Sequence, residues 1–314
     1  MIDNQKLVYS ELSSGHAHVD EHFISLTLPY RPPYLWDQFI TFFDARTIEG
    51  VETVWEGAYY RTVRLMTREG QPVTGWLKVE HEEAGHAIRL TLSQPLLPVL
   101  SEIVARIQRM FDLDSDPEEI HDHLSKMNDI KRGLCVLGTR VPGSFDPFEM
   151  SVRAVLGQQI TVKAARTLAG RLAQTFGIPI QTDVDGLTHT FPSPERIVGL
   201  EGSIADQLGP LGVTGRRSHT ILALAQIIES ETMDFASCAD AELKVKELMK
   251  ISGIGPWTAH YIAMRTFKWP DAFPCADYGI KKALAPRTQK EIEVLAGKWR
   301  PWRAYATVNL WNSL

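Results

Sequence analysis

Cysteine is scarce in this chain. Cys135, Cys238 and Cys275 are three in 314 residues, odd in number and far apart. That excludes a disulfide framework and leaves too few thiols for a four-cysteine cluster. No run of about 18 apolar residues exists, so the sequence predicts no membrane span. The N-terminus, Met1 to His22, is polar and lacks an apolar signal core, which predicts a cytoplasmic protein. The loosely spaced histidines His16, His18, His22, His121 and His123 come without a supporting ligand pattern. They read as surface residues, and neither a metal nor a cofactor is expected. Internal repeats and low-complexity segments are also absent.

An overall positive charge is missing too. There are 33 Lys/Arg against 38 Asp/Glu, a net charge of −5. The charge is uneven, however. Residues 241–314 hold 12 Lys/Arg and 6 Asp/Glu, a balance of +6, which leaves −11 for residues 1–240. A local basic face matters more for phosphate binding than the total. A merely solvated basic surface would give the same count. The charged fraction of 23% and hydrophobic fraction of 44% are ordinary for a globular protein, and the length favours two domains.

What is present falls into two regions. After a polar tail over residues 1–21, alternation of period two predicts strands at 22–28, 58–65, 75–80 and 86–92. Leu35 to Arg46 fits a helix. Pro98 to Phe111 fits another, with Val99, Ile103, Ile107 and Met110 on one face. Residues 22–115 therefore read as a small α/β domain on an antiparallel sheet. Residues 116–314 read as helical. Asp146-Pro147-Phe148-Glu149 is a helix start with an Asp cap, Pro in the first turn and Glu at the capping-box position. Further helices are predicted at 161–175, 214–229, 240–250, 257–268, 289–297 and 301–312, with an excursion at 177–194. The fold class is α+β.

The most informative stretch is Leu248 to Ile280. Ile251-Ser252-Gly253-Ile254-Gly255 is a glycine hairpin between two apolar-periodic helices. Such a hairpin turns backbone N–H groups outward at a helix start, which suits a phosphate. A tight helix–helix turn without a ligand needs the same glycines. Asp277 follows about two helical turns past the second helix. On spacing alone it suits a helix N-cap, the commoner role for Asp before a helix, better than a catalytic carboxylate, and the two roles are compatible. Trp257 and Tyr261, four residues apart, share a helix face. They suit either a core or a stacking surface for an extruded base. Gly157-Gln158-Gln159-Ile160-Thr161 interrupts two helices, as an ordinary junction or as a loop that fills the hole an extruded base leaves.

Together these residues resemble the helix-hairpin-helix DNA glycosylase superfamily, and more narrowly the 3-methyladenine DNA glycosylase II (AlkA) type. The resemblance runs from about Phe23 to Trp311. It is supported by Pro32-Pro33-Tyr34, Ala45-Arg46, Val51 to Val54, Tyr59 to Arg61, Phe148 to Gln158 and Trp299 to Tyr305. It implies an N-terminal mixed domain and a helical glycosylase region, with the helix-hairpin-helix at about 243–268. It puts Asp277 at the catalytic aspartate. Ile251, Gly253 and Gly255 fall at the DNA-backbone hairpin. Trp257, Tyr261, Trp311 and Phe42 fall at the base pocket, and Gln159 at the wedge that enters the duplex.

Two positions depart from the family's best-known member: Gln159 stands where it has leucine, and Ala276 where it has a second aspartate. The superfamily's strand-cleaving members carry a lysine at the position of Trp257, whose amine forms a Schiff base. The resemblance therefore implies a monofunctional enzyme that excises alkylated purines from double-stranded DNA and leaves an abasic site, and, since a single lesion needs one site, a monomer is expected. A bifunctional oxidised-base glycosylase and a non-catalytic helix-hairpin-helix DNA-binding protein are the competing readings.

Overall fold

The structure is a computed structural model that describes residues 17–19 and 23–314. The expected tail over 1–21 lies almost wholly outside the described residues, as do the side chains of His16, His18 and His22. Six antiparallel strands form one sheet: β1 (Ala17–Val19), β2 (Phe23–Pro29), β3 (Glu52–Trp55), β4 (Ala58–Met66), β5 (Pro72–Glu82) and β6 (Ala87–Ser93). Their spatial order is β1-β2-β6-β5-β4-β3. Alternation in β2 buries Ile24, Leu26 and Leu28 against helices α1 (Trp36–Asp44) and α2 (Leu100–Met110). Helix α1 contributes Trp36, Phe39, Ile40 and Phe43 to that core.

Strand β4 departs from simple alternation, because nearly every residue in it is buried. The 177–194 excursion explains this. Leu187 packs with Tyr60 and Trp76 on the outer face of the sheet, and Thr62 Oγ1 donates to the His189 carbonyl at 2.8 Å. A strand covered on both faces has no solvent side to mark with polar residues.

The rest is helical: α3 (Pro117–Leu124), α4 (Pro147–Leu156), α5 (Val162–Phe176), α6 (Pro194–Val198), α7 (Ile204–Leu208), α8 (Gly215–Glu229), α9 (Ala241–Leu248), α10 (Pro256–Ile262), α11 (Tyr278–Ala283), α12 (Gln289–Ala296) and α13 (Arg303–Asn312). Among the described residues no helix is long and apolar enough to cross a membrane. A second core centres on Val155, Leu172, Leu224, Ile262, Met264 and Leu310, all fully buried. Each such side chain contributes roughly 1.5–3 kcal/mol on burial.

Glu149 does not complete the capping box expected at the start of α4. Asp146 caps the helix by accepting from the Glu149 N–H at 2.7 Å. The Glu149 carboxylate instead pairs with Arg61 on β4 at 2.7 Å and with Arg153 at 3.1 Å. Arg153 also reaches Glu52 at the start of β3, at 2.9 Å. Burial pushes the Glu52 carboxyl up, but Arg153 and Arg61 outweigh it and hold it below the usual range. This ion network fastens the sheet to α4, at the base of the cleft described next.

Candidate active site

A cleft of about 1370 Å³ opens in the helical region. Its walls come from α4, α5, the start of α8, the hairpin with α10, and the start of α11, with Trp311 from α13. Asp277 caps α11, with Oδ1 accepting from the N–H groups of Gly279 at 2.8 Å and Ile280 at 3.3 Å. It is more than a cap. Trp311 donates its indole N–H to Oδ1 at 2.9 Å, and Trp257 donates its own to Oδ2 at 3.0 Å. Four N–H donors thus fix one half-buried carboxylate at the cleft wall, and the acceptor capacity left on Oδ2 faces a space lined by aromatics.

Those aromatics form one assembly. Trp257 and Tyr261 stack at 5.3 Å between centroids and 9° between planes, and Tyr261 meets Trp311 at 6.3 Å. Phe42, from α1, stacks on Trp311 at 6.2 Å and 14°. Phe42 supports the wall from behind: it is not among the residues that line the cleft, and the protein's own guanidiniums already cover its ring. Arg46 lies 3.8 Å from the Phe42 centroid and Arg265 4.8 Å.

Arg265 sits where helix α10 widens into π turns over Ala263–Phe267, a local irregularity that often marks functional positions. It donates to the Tyr261 hydroxyl at 2.8 Å. Burial pushes the Tyr261 phenol up, but Arg265, Arg46 and Arg153 together hold it below its ordinary value.

The hairpin forms the second wall. Gly253 has φ +95°, and a Cβ there would lie 2.1 Å from Thr220 Oγ1. Both facts require glycine. Carbonyl groups of the hairpin are turned inward: Ile251 accepts from the Ile254 N–H at 3.0 Å, Ser252 from Thr220 Oγ1 at 2.7 Å and Gly253 from Gln158 Nε2 at 2.9 Å. Gly255 is exposed, and the first turn of α10 has no acidic residue. The side chain of Ile251 packs on the helical core rather than lining the cleft.

Gln159 is exposed at the cleft, between α4 and α5. Its φ of +56° is left-handed, a conformation that costs a residue with a Cβ about 1 kcal/mol. Ile160 and Val162 stand exposed beside it.

The sequence reading missed most of the cleft's cations. Of the arginines that line it, Arg46, Arg153, Arg166, Arg216 and Arg217 lie outside the basic 241–314 segment, and only Arg265 lies within it. Charge counted along the chain does not reveal a face assembled from distant segments. Lys281 and Lys282 are exposed and do not line the cleft, and Tyr278 is 77% exposed at its rim. Among the described residues no group of three His, Cys, Asp or Glu could hold a metal ion.

This architecture has relatives. Residues 25–146 match the AlkA N-terminal domain, and residues 152–289 match the HhH-GPD superfamily of base excision DNA repair proteins. DNA-3-methyladenine glycosylase 2 of Escherichia coli (strain K12) is 33% identical over 91% of this chain and 96% of its own length. The chain belongs to the AlkA family of HhH-GPD base excision DNA repair proteins. A probable bifunctional transcriptional activator/DNA repair enzyme AlkA of Mycobacterium tuberculosis (strain CDC 1551 / Oshkosh) is 36% identical over 93% of this chain. The chain spans only 57% of that relative's length. The fold is shared with a 3-methyladenine DNA-glycosylase from Archaeoglobus fulgidus, at 19% identity and a TM-score of 0.71, covering 91% of this chain and 96% of that one. This AlkA-family cleft therefore combines a fixed carboxylate, a stacked aromatic wall, a glycine hairpin and a ring of guanidiniums.

Proposed function

We propose that the chain is a monofunctional DNA glycosylase that removes alkylated, cationic purines from duplex DNA and leaves an abasic site. The observation that carries this reading is the Asp277 carboxylate, bonded by two indoles and two backbone amides and facing an aromatic cleft. Breaking an N-glycosidic bond builds positive charge on the sugar. A preorganised carboxylate stabilises that charge or guides water to it. Four donors fix the carboxylate's geometry before the charge develops, so little reorganisation remains at the moment of reaction.

Alkylation at N3 or N7 makes the base a cation that leaves without a strong general acid. Trp257, Tyr261 and Trp311 offer π faces to it, and cation–π attraction contributes roughly 0.5–2 kcal/mol. Gly253 and Gly255 grip a phosphate, and Gln159 fills the space of the extruded base, where its amide has both a donor and an acceptor for the orphaned partner. Phe42 buttresses the pocket. No amine stands at Trp257 to form a Schiff base, which disfavours a strand-cleaving lyase. A single lesion needs a single site, so the enzyme acts as a monomer on the cell's DNA in the cytoplasm.

The test is single-turnover excision from alkylated duplex DNA by wild type and Asp277→Asn, each with and without alkali. Base release by wild type only, with strand breaks only after alkali, is the expected result. Strand breaks without alkali would overturn the monofunctional reading. Intact binding without base release would make the chain a DNA-binding protein instead.

A further inference from the structure

The wedge loop and the phosphate hairpin belong to different parts of the helical region, nearly a hundred residues apart, yet one side chain joins them. Gln158 Nε2 donates both of its N–H groups to the hairpin side, to the Gly253 carbonyl at 2.9 Å and to Thr258 Oγ1 in the first turn of α10 at 3.0 Å. The backbone of the same residue is held from a third side, because Arg217 on α8 donates to the Gln158 carbonyl. Helix α8 in turn holds the hairpin through Thr220 Oγ1 and the Ser252 carbonyl at 2.7 Å. Loop, hairpin and α8 thus form a closed triangle of bonds, with Gln158 at two of its sides.

The residue after Gln158 is the one in the left-handed conformation. A strained backbone persists only where its surroundings over-determine it. Gln159 itself is exposed, and its own side chain does not supply that constraint. The bonds to Gln158 supply it. They fix where the backbone leaves α4 and therefore where the Gln159 side chain projects.

We propose that Gln158 is a positioning residue that registers the wedge with the phosphate grip, so that extrusion of a base and capture of its backbone occur as one movement. This rests on the glycosylase reading, and it assigns a role to a residue that does not touch the reacting atoms. A purely structural role for Gln158, satisfying the Gly253 carbonyl, would leave wedge and chemistry equally affected by its loss. A registering role affects only the step in which a paired base must be forced out.

The experiment uses the full chain and two duplexes carrying a single N7-methylguanine, a cationic alkylated purine, one with the lesion paired and one with it in a single-nucleotide bulge. Each also carries 2-aminopurine beside the lesion, so that fluorescence reports unstacking independently of base release. For Gln158→Met, excision and unstacking of the paired lesion should fall about tenfold or more, while the bulged lesion is excised within about twofold of wild type. Thr258→Val should shift both readouts in the same direction, and Thr258→Ser, which keeps the acceptor, should behave as wild type. Equal loss on both duplexes, or a Gln158→Met enzyme that matches wild type on the paired lesion, overturns the proposal. A wild type that unstacks the paired lesion but excises neither base sinks the glycosylase reading and leaves the registering role measurable by fluorescence alone.

Discussion

Trp311 and Asp277 are joined by an indole N–H donated at 2.9 Å to Oδ1, the oxygen that also caps α11. The ring that walls the pocket is thus also a hydrogen-bond donor to its carboxylate. Trp257 repeats the arrangement on Oδ2 at 3.0 Å. Phenylalanine separates the two functions, since it keeps an aromatic face and loses the donor. A hydrogen bond to a charged group contributes roughly 1.5–3 kcal/mol, so Trp311→Phe and Trp257→Phe should each lower single-turnover excision by about 10- to 100-fold. Affinity for undamaged duplex should hardly change. An excision rate that survives in both variants would show that the rings act by stacking alone.

The two hairpin glycines separate a ligand site from a tight turn. A Cβ at Gly253 meets Thr220 Oγ1 at 2.1 Å in a left-handed backbone, so Gly253→Ala destabilises the hairpin whatever it binds. A Cβ at Gly255 meets nothing within 4 Å, and the backbone there is not left-handed. Gly255→Ala should therefore leave the urea midpoint nearly unchanged, within about 0.5 kcal/mol. If a phosphate approaches that exposed N–H edge, the added methyl intrudes on it, and duplex affinity falls about tenfold, or 1.4 kcal/mol. Unchanged affinity in Gly255→Ala would reduce the hairpin to a turn.

What the sequence makes legible is what is local. The hairpin, Trp257, Tyr261 and Asp277 fall within one short stretch, where helical spacing and turn chemistry operate over a few residues. Four of the six strands, all but β1 and β3, and most helices follow from periodicity for the same reason. The less legible features depend on partners far along the chain. Glu149 looks like a capping-box residue because Asp146 stands three before it, and only the approach of Arg61, 88 residues away, turns it into a buried ion pair. Arg46 and Arg265 look like surface charges until folding brings both against Phe42. Gln158 looks like one half of a junction until Gly253 arrives beside it. Strand β4 hides its second buried face because the covering segment comes more than a hundred residues later.

A pH dependence built into α10 allows a further check. His260 lies one turn past Trp257, stacks on Trp269 at 5.7 Å, and accepts from the Phe273 N–H at 3.3 Å through Nδ1. Burial, reinforced by the Arg303 guanidinium, pushes its pKa down to about 4. In the unfolded chain a histidine titrates near 6.5. Above that pH both states are neutral, and the folded state keeps its full stability. As the pH falls from 6.5 towards 4 the unfolded chain takes up a proton that the folded state refuses, and stability is lost at up to about 1.4 kcal/mol per pH unit. His260→Gln keeps an acceptor for the Phe273 amide and removes the titration. Urea unfolding at pH 7 and pH 5 should show the loss of stability between the two reduced by at most about 2 kcal/mol in the variant, the share His260 contributes. Because α10 carries Trp257 and Tyr261, the aromatic wall loosens with it, and wild-type excision at pH 5 should become more sensitive to urea than that of His260→Gln. An identical pH dependence in the two proteins would place the acid sensitivity between pH 7 and pH 5 outside α10.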